Sequence, residues 1–157
     1  MSEPTVFIID DDDACRDSIR ELVVAVGLAA AVFSSAFEFL ADFDFTWHGC
    51  LVLDLRMPRM NGLALQKRLQ EMGVHIPIVF VSGSVDIPTA VQAIRDGAVD
   101  FLQKPYPQQQ LLDAIYKALR WDSAWLSNTA STWSRGLSWA SIAAVTRAVV
   151  VACRPRR

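Results

Sequence analysis

The sequence predicts an α/β protein in which a parallel sheet of five strands is covered by helices on both faces. Five short apolar runs, partly β-branched and bounded by turn residues, alternate with segments whose apolar residues recur at helical spacing. The runs are near-continuous stretches of apolar residues and do not alternate with polar ones, which is typical of strands buried on both faces of a parallel sheet. Right-handed crossovers would then bring the carboxyl ends of all strands to one edge, where such sheets bind ligands.

The apolar runs place the predicted strands at residues 6–9, 29–33, 50–53, 76–81 and 99–102. Helical periodicity predicts helices at residues 15–26, 63–72 and 111–119, with a weaker pattern near 36–41. One more helix is expected to open at Pro88, since proline suits the first turn of a helix. Val91 and Ile94 are expected to face inward on it. Gly27, Gly73 and Gly97 follow three of these patterns and are predicted to end the helices.

Charge divides the chain near residue 120. Residues 1–119 hold 9 Lys/Arg and 16 Asp/Glu, whereas residues 120–157 hold 6 and 1. We therefore predict a domain at 4–119 and a basic tail at 120–157, which carries four of the five tryptophans. The N-terminus lacks the basic region of a signal peptide. The 3 cysteines show no metal spacing, and Cys15 and Cys50 are expected to be small core residues, which fits a reducing cytoplasm.

The tail allows several interpretations. Its apolar stretch at 137–153 is interrupted by Arg147 and falls short of a membrane span. Its basic end and tryptophans suggest contact with nucleic acid or anionic lipid, a loosely docked helical extension is an alternative, and a shifted reading frame is a third.

Five polar side chains follow four of the predicted strands. Asp10 and Asp11 follow the first, Asp54 the third, Ser82 the fourth and Lys104 the fifth. Paired carboxylates suit Mg²⁺, and a carboxylate can itself attack phosphorus to form an aspartyl phosphate. A metal ion, a hydroxyl and an ammonium would neutralise the transferred phosphoryl group. Without a metal, the crowded carboxylates should raise the pKa of at least one of them.

Each of these residues also has a structural interpretation when taken alone. An aspartate after a strand often caps a helix or opens a turn, and Asp12 and Asp13 are expected to serve the helix start in this way. A lysine before proline suits a solvated loop, and Ser-Gly is ordinary turn chemistry. The combination at four strand ends is what favours a chemical site.

The motifs IIDDD, LVLDLRMPRMNG, VFVSG and DFLQKP, spread over residues 4–119, resemble those of the receiver domain of two-component response regulators. The stretches VLDLRMPRMNGLALQ and SVDIPTAVQAIRDGAVDFLQKP resemble the FixJ-type branch. The resemblance implies a flavodoxin-like (βα)5 fold with strand order 2-1-3-4-5. It also implies a cytoplasmic switch that takes a phosphoryl group from a sensor histidine kinase, usually to control transcription.

The resemblance assigns roles by position. Asp54 matches the phosphoacceptor, Asp10 and Asp11 match the acidic pair that holds Mg²⁺ together with Asp54, and the backbone carbonyl of Arg56 matches a further metal ligand. The remaining matches are Ser82 and Lys104 as phosphate-contacting residues, Ser82 and Phe101 as switch residues, and a cis bond before Pro105.

The family also implies a surface that changes on phosphorylation, from Pro88 to Phe101, and phosphorylation-dependent dimerisation through it. The tail shows no helix-turn-helix pattern, so contact with DNA is not expected from these residues. One alternative is a Mg²⁺-dependent phosphatase of the haloacid-dehalogenase kind, whose nucleophile would follow the first strand. Another is a flavin- or nucleotide-binding domain, although no Gly-rich phosphate loop follows that strand.

Overall fold

The computed structural model describes residues 4–133, with side chains described up to residue 122. Within this range one parallel sheet contains β1 (Thr5–Ile9), β2 (Ala29–Phe33), β3 (Gly49–Asp54), β4 (Ile78–Ser82) and β5 (Asp100–Gln103). The helices are α1 (Asp13–Ala25), α2 (Ala36–Asp42), α3 (Gly62–Glu71), α4 (Ile87–Arg95) and α5 (Gln108–Trp133). The strand order β2-β1-β3-β4-β5 confirms the expected flavodoxin-like topology.

The five predicted strands are all present, but some of their limits differ. β4 begins at Ile78 rather than at residue 76, because Pro77 has no N–H to donate to a neighbouring strand. Ile76 is nevertheless buried, so the apolar run indicated burial that extends beyond the strand itself. β3 and β4 each continue by one residue into the polar position that follows the apolar run, Asp54 and Ser82. The backbones of Asp54 and Ser82 therefore belong to the sheet and not to the loops that follow it.

The helix ends follow the predicted chemistry. Asp12 caps α1 by accepting a hydrogen bond from the backbone N–H of Cys15 at 3.1 Å, which confirms the expected role of Asp12 at the helix start. The weaker pattern near 36–41 corresponds to α2. Gly73 and Gly97 follow α3 and α4 with φ of 74° and 101°, a region of backbone conformation that favours glycine.

The sheet separates two hydrophobic layers. One layer lies under α2, α3 and α4 and is rich in aromatic rings, with Phe7 stacked on Trp47 at a centroid distance of 4.9 Å. The other layer lies under α1 and α5 and is mainly aliphatic, with Ile19 and Leu111 buried in it. Cys50 lies fully buried in this second layer, as expected, whereas Cys15 is only partly buried.

The prediction that Val91 and Ile94 face inward on α4 is wrong. Their exposed fractions are 41% and 46%, and Ala93 is the buried residue of this helix. Two apolar stripes run along α4, one of alanines and one of larger residues, and both have helical spacing. The alanine stripe faces the core because a small side chain lets the helix approach the sheet closely, which leaves the larger side chains outside.

α5 continues without interruption past residue 119 and is described as far as Trp133. The Asp122 carboxylate accepts a hydrogen bond from the backbone N–H of Gly49 at 3.2 Å and lies 3.3 Å from Nδ1 of His48. The helix is therefore anchored at residue 122 to the start of β3. The division into 4–119 and 120–157 stays a prediction, and the interpretations of residues 137–153 fall outside the described residues. Among the residues that the structure describes, no helix has the length and apolarity needed to cross a lipid bilayer.

Candidate phosphorylation site

Three carboxylates meet at the carboxyl edge of the sheet. Asp10 directly follows β1, Asp54 is the last residue of β3, and Asp11 follows Asp10. Since β1 and β3 are neighbours in the sheet, an oxygen from each of the three side chains lies within 4.8 Å of the others. Asp10 and Asp54 are buried, with exposed fractions of 1% and 6%, whereas Asp11 is exposed at the mouth of this acidic pocket.

Lys104 supplies the positive charge that bridges two of these acids. Its Nζ atom donates a hydrogen bond to Oδ2 of Asp10 at 2.8 Å and lies 3.9 Å from Oδ1 of Asp54. The residue follows β5, and its backbone N–H donates to the carbonyl of Ser82 at 2.8 Å, which places it beside the end of β4. The bond from Lys104 to Pro105 is cis, as the resemblance implies. The predicted convergence of Asp10, Asp54 and Lys104 is therefore present in the structure.

The pocket is short of positive charge, and the pKa values of its groups reflect this. Burial raises the pKa of Asp54 to about 7; the charges of Asp10 and Asp11 add to the increase, while Lys104 and a backbone hydrogen bond from Arg56 oppose it. For Lys104, burial lowers the pKa, but the hydrogen bond and charge of Asp10 outweigh it and leave the pKa raised. The expected pKa increase of one carboxyl is thus seen at Asp54.

The other predicted site residues lie at the end of β4, in β5 and just after β3. Ser82 is fully buried, and its hydroxyl donates to the carbonyl of Ser84 at 3.1 Å in the loop after β4. Phe101 is partly buried in β5, with its ring stacked on Phe80 at a centroid distance of 5.8 Å. Arg56 has an exposed side chain just after β3, and the role of its carbonyl as a metal ligand stays a prediction.

The residues present fit a divalent cation with oxygen ligands. Three carboxylates face one ammonium, so the pocket carries excess negative charge, and carboxylate oxygens are the ligands that Mg²⁺ prefers. The two oxygens of Asp10 already accept hydrogen bonds, one from the N–H of Asp12 at 2.9 Å and one from Lys104. Asp11 is the exposed one of the three and is therefore the carboxylate most open to an ion.

Two contacts of this region have no strong signal in the sequence. Gly62 is the first residue of α3, and a Cβ atom on it would lie 2.7 Å from the backbone oxygen of Asp54. Arg16 donates from Nη1 to the backbone carbonyl of Asp10 at 2.9 Å. Both contacts are with main-chain atoms, whose positions depend on the fold and not on the identity of the residue contacted.

Fold and site together define a flavodoxin-like domain with an acidic, lysine-bridged pocket at the carboxyl edge of its sheet. The family model of the response regulator receiver domain matches residues 6–116. The chain belongs to this family, and so it is a receiver domain of the kind used in two-component signalling.

Similar proteins agree with this assignment. Over 115 residues the chain is 50% identical to the response regulator protein TodT of Pseudomonas putida, an alignment that covers 73% of this chain and 51% of TodT. It is 48% identical over 118 residues to the response regulator protein TmoT of Ectopseudomonas mendocina, covering 75% and 54%. The crystal structure of FixJ-N matches with a TM-score of 0.70 and 38% identity, covering 76% of this chain and 96% of that one.

The chain spans about half the length of the curated relatives that it matches. The similarity to FixJ-N supports the FixJ-type branch indicated by the sequence motifs. The haloacid-dehalogenase alternative finds no support, because the match is to a receiver family and the buried carboxylate with the raised pKa lies at the end of β3 and not of β1.

Proposed function

We propose that the chain is a phosphorylation-operated switch in which Asp54 accepts a phosphoryl group from a sensor histidine kinase. The observation that carries this proposal is the position of the Asp54 carboxylate, which lies within 4.8 Å of two further carboxylates and 3.9 Å from the Lys104 ammonium. Positioning and charge neutralisation are what phosphoryl transfer needs from a protein. Receiver domains provide both at one buried aspartate, and Asp54 is buried at the end of β3.

In the proposed reaction an oxygen of Asp54 attacks the phosphorus atom of a phosphohistidine. A P–O bond forms, the P–N bond breaks, and the histidine imidazole leaves. Mg²⁺ would be held by Asp10, Asp11, Asp54 and the Arg56 carbonyl, and when bound it neutralises charge on the phosphoryl oxygens. Loss of the phosphoryl group to water returns Asp54 to its free form, and we propose no further enzymatic activity.

Lys104 is placed to change its hydrogen-bond partner when Asp54 is phosphorylated. Its ammonium already lies between Asp10 and Asp54, and burial in the pocket limits the number of directions in which it can move. A phosphoryl group on Asp54 adds acceptor oxygens and negative charge on that side. We expect Nζ to turn from Asp10 toward these oxygens, since charge-assisted hydrogen bonds are the strongest available to it.

The switch would start at Ser82 and end at Phe101. The Ser82 hydroxyl now donates within its own loop, to the carbonyl of Ser84, and a phosphoryl oxygen on Asp54 would offer it a charged acceptor instead. Redirecting this hydroxyl pulls the loop after β4 inward. Phe101, which stacks on Phe80, is then expected to move further into the layer beneath the loop. The two arrangements form a two-state element that phosphorylation biases.

The output surface of this switch is apolar. Ile87, Val91 and Ile94 lie on α4 with exposed fractions of 80%, 41% and 46%. Large apolar side chains grouped on one helix face favour association with another protein surface. We propose that phosphorylated chains pair through this side, between Pro88 and Phe101. The site of action is proposed to be the cytoplasm, where a histidine kinase has ATP.

Intact-mass measurement after incubation with acetyl phosphate and Mg²⁺ tests the phosphoacceptor. The wild-type protein should gain one phosphoryl group, and Asp54→Asn should gain none because an amide oxygen is a poor nucleophile. Asp11→Asn should be labelled more slowly, with the label still on Asp54. A label retained in Asp54→Asn would place the phosphoacceptor elsewhere, and repeated turnover of a phosphate ester would indicate a phosphatase instead.

Analytical ultracentrifugation with and without acetyl phosphate tests the proposed pairing. The wild-type protein should shift from monomer to dimer when labelled, whereas a variant with Val91→Lys and Ile94→Lys should be labelled equally and stay monomeric. Val24→Lys is the matched control, because Val24 is exposed on α1, on the other face of the sheet. Dimerisation of the α4 variant would move the interface to another surface.

A further inference from the structure

We propose that Arg16 is a positioning residue for the metal-binding acids, because its guanidinium fixes the peptide bond that joins Asp10 to Asp11. This inference rests on the proposed function, and it concerns a residue that neither contacts the phosphoryl group nor supplies a metal ligand. Arg16 lies near the start of α1, six residues after Asp10.

The contacts of Arg16 are made with the turn itself. Nη1 donates to the backbone carbonyl of Asp10 at 2.9 Å, and Nη2 pairs with the Asp13 carboxylate. The Arg16 side chain has an exposed fraction of 14%, whereas that of Asp13 is 84%. β1 ends at Ile9, so the Asp10 carbonyl lies beyond the strand and takes a side-chain donor in place of a ladder partner.

The geometry of a peptide bond makes this contact important for Asp11. The Asp10 carbonyl and the Asp11 N–H share one rigid plane, which extends from the Cα atom of Asp10 to that of Asp11. The Asp10 side chain is held independently by the N–H of Asp12 and by Lys104. The Asp11 side chain is exposed and has little packing to orient it. The orientation of this peptide plane therefore largely determines the position of the Asp11 carboxylate relative to Asp10 and Asp54.

The contribution of Arg16 is geometric more than electrostatic. A cation in the first turn of a helix is disfavoured by the helix dipole, so a compensating contact is expected to hold it there. The side-chain charges that shift the pKa of Asp54 are those of Asp10, Lys104 and Asp11. The charge of Arg16 instead adds to the hydrogen bonds from Ser34 in lowering the pKa of Glu38, on α2.

Mg²⁺ affinity measures this positioning without relying on phosphoryl transfer. Urea unfolding of the full chain at increasing Mg²⁺ concentrations gives the dissociation constant, because an ion that binds only the folded state stabilises it by RT ln(1 + [Mg²⁺]/Kd). Arg16→Met removes both guanidinium contacts and keeps an apolar stem. Arg16→Lys keeps the charge but loses the planar two-donor group. Arg20→Met is the matched control, since Arg20 is exposed one turn further along α1.

We expect Arg16→Met to weaken Mg²⁺ binding by roughly tenfold, the lower end of the effect of losing one charge-assisted hydrogen bond. Arg16→Lys should bind between Arg16→Met and the wild type, and Arg20→Met should match the wild type. Asp13→Ala removes the other partner of Arg16 and should leave the affinity near that of the wild type. A merely structural role would lower the free energy of unfolding without Mg²⁺ and leave the dissociation constant unchanged.

Three outcomes would overturn the inference. Wild-type affinity in Arg16→Met shows that the turn holds its geometry unaided, and wild-type affinity in Arg16→Lys shows that a positive charge suffices. A loss in Asp13→Ala as large as in Arg16→Met assigns the effect to the ion pair. If acetyl phosphate labels the wild-type protein on Asp54 and Mg²⁺ stabilises it in the urea titration, these outcomes leave the proposed function intact. A wild type that Mg²⁺ does not stabilise removes both proposals together.

Discussion

Asp54→Asn should stabilise the metal-free protein, and the gain should grow as the pH rises. The pKa of Asp54 is raised from its ordinary value of 3.8 to about 7, chiefly by burial and then by the charge of Asp10. Between these two values the folded protein holds a proton on Asp54 that the unfolded chain has already released. The free energy of unfolding of the wild type therefore falls as the pH rises from about 4 to about 7 and levels off above that. Asparagine has no proton to lose, so the variant lacks this part of the decline.

The size of the effect follows from the shift in pKa. An increase of roughly three pKa units corresponds to about 4 kcal/mol at a pH above 7, at about 1.4 kcal/mol for each unit. The Asp54 side chain has an exposed fraction of 8%, so little of this is lost to solvent screening at the carboxylate itself. The exposed mouth of the pocket at Asp11 admits water, which makes about 4 kcal/mol the upper end and about 2 kcal/mol a reasonable lower end.

Urea unfolding followed by far-UV circular dichroism, at a series of pH values in a chelator, measures this difference directly. Subtracting the wild-type free energy of unfolding from that of Asp54→Asn cancels the titrating groups that do not interact with Asp54 and leaves a curve that rises between pH 4 and 7. Asp113→Asn, which removes an exposed carboxyl on α5, is the matched control for the loss of one negative charge. Saturating Mg²⁺ should flatten the curve, because the ion binds the ionised carboxylate. A difference that stays constant or falls with pH would refute the account of the pocket as short of positive charge.

Two further substitutions test the packing behind Asp54 and the attachment of α5 to β3. Gly62→Ala should lower the free energy of unfolding by about 2 kcal/mol or more and slow labelling of Asp54, since the new Cβ would lie 2.7 Å from the Asp54 backbone oxygen. Gly83→Ala, with nothing within 4 Å of its Cβ position, should change stability little in the same urea titration, and equal effects would contradict the packing argument. Asp122→Ala should cost about 1–3 kcal/mol by leaving the buried Gly49 N–H unpaired. An unchanged midpoint for that variant would show that α5 is not anchored there.

The three central strands, β1, β3 and β4, could be predicted because they are buried on both faces. Such strands must be apolar along their whole length, and a continuous apolar run between turn residues is the most direct signal that a sequence can give. The limits were less predictable, because apolarity reports burial whereas a strand is defined by its hydrogen bonds. Ile76 is buried without belonging to β4, and Ser82 belongs to β4 without being apolar.

The orientation of α4 could not be read from its pattern. Its alanines and its larger aliphatic residues both recur at helical spacing, so either stripe could be the buried one. Placing the larger residues inward follows the usual relation between hydrophobicity and burial. The structure has the opposite arrangement, with Ala93 buried and Val91 exposed. An exposed apolar helix face and a buried one give the same sequence signal, which is apolar residues at helical spacing.

The site was predictable where strand ends determine it. Asp10, Asp54 and Lys104 follow different strands, and the rule that parallel strands end at one edge is enough to bring them together. Arg16 and Asp122 were not found, because their partners include main-chain atoms. Any residue has a carbonyl and nearly any has an N–H, so the sequence gives no sign of which one a guanidinium or carboxylate will meet.

The separation of the core into two layers has a consequence for how substitutions should combine. Phe101 and α4 pack into the aromatic layer, while α1 and α5 pack into the aliphatic layer across the sheet. Changes in free energy at sites without shared neighbours are usually additive, so paired substitutions, one in each layer, should show little coupling. Rearrangement around Phe101 could then proceed while the opposite layer keeps its packing, which would leave the two halves of the domain open to independent modification.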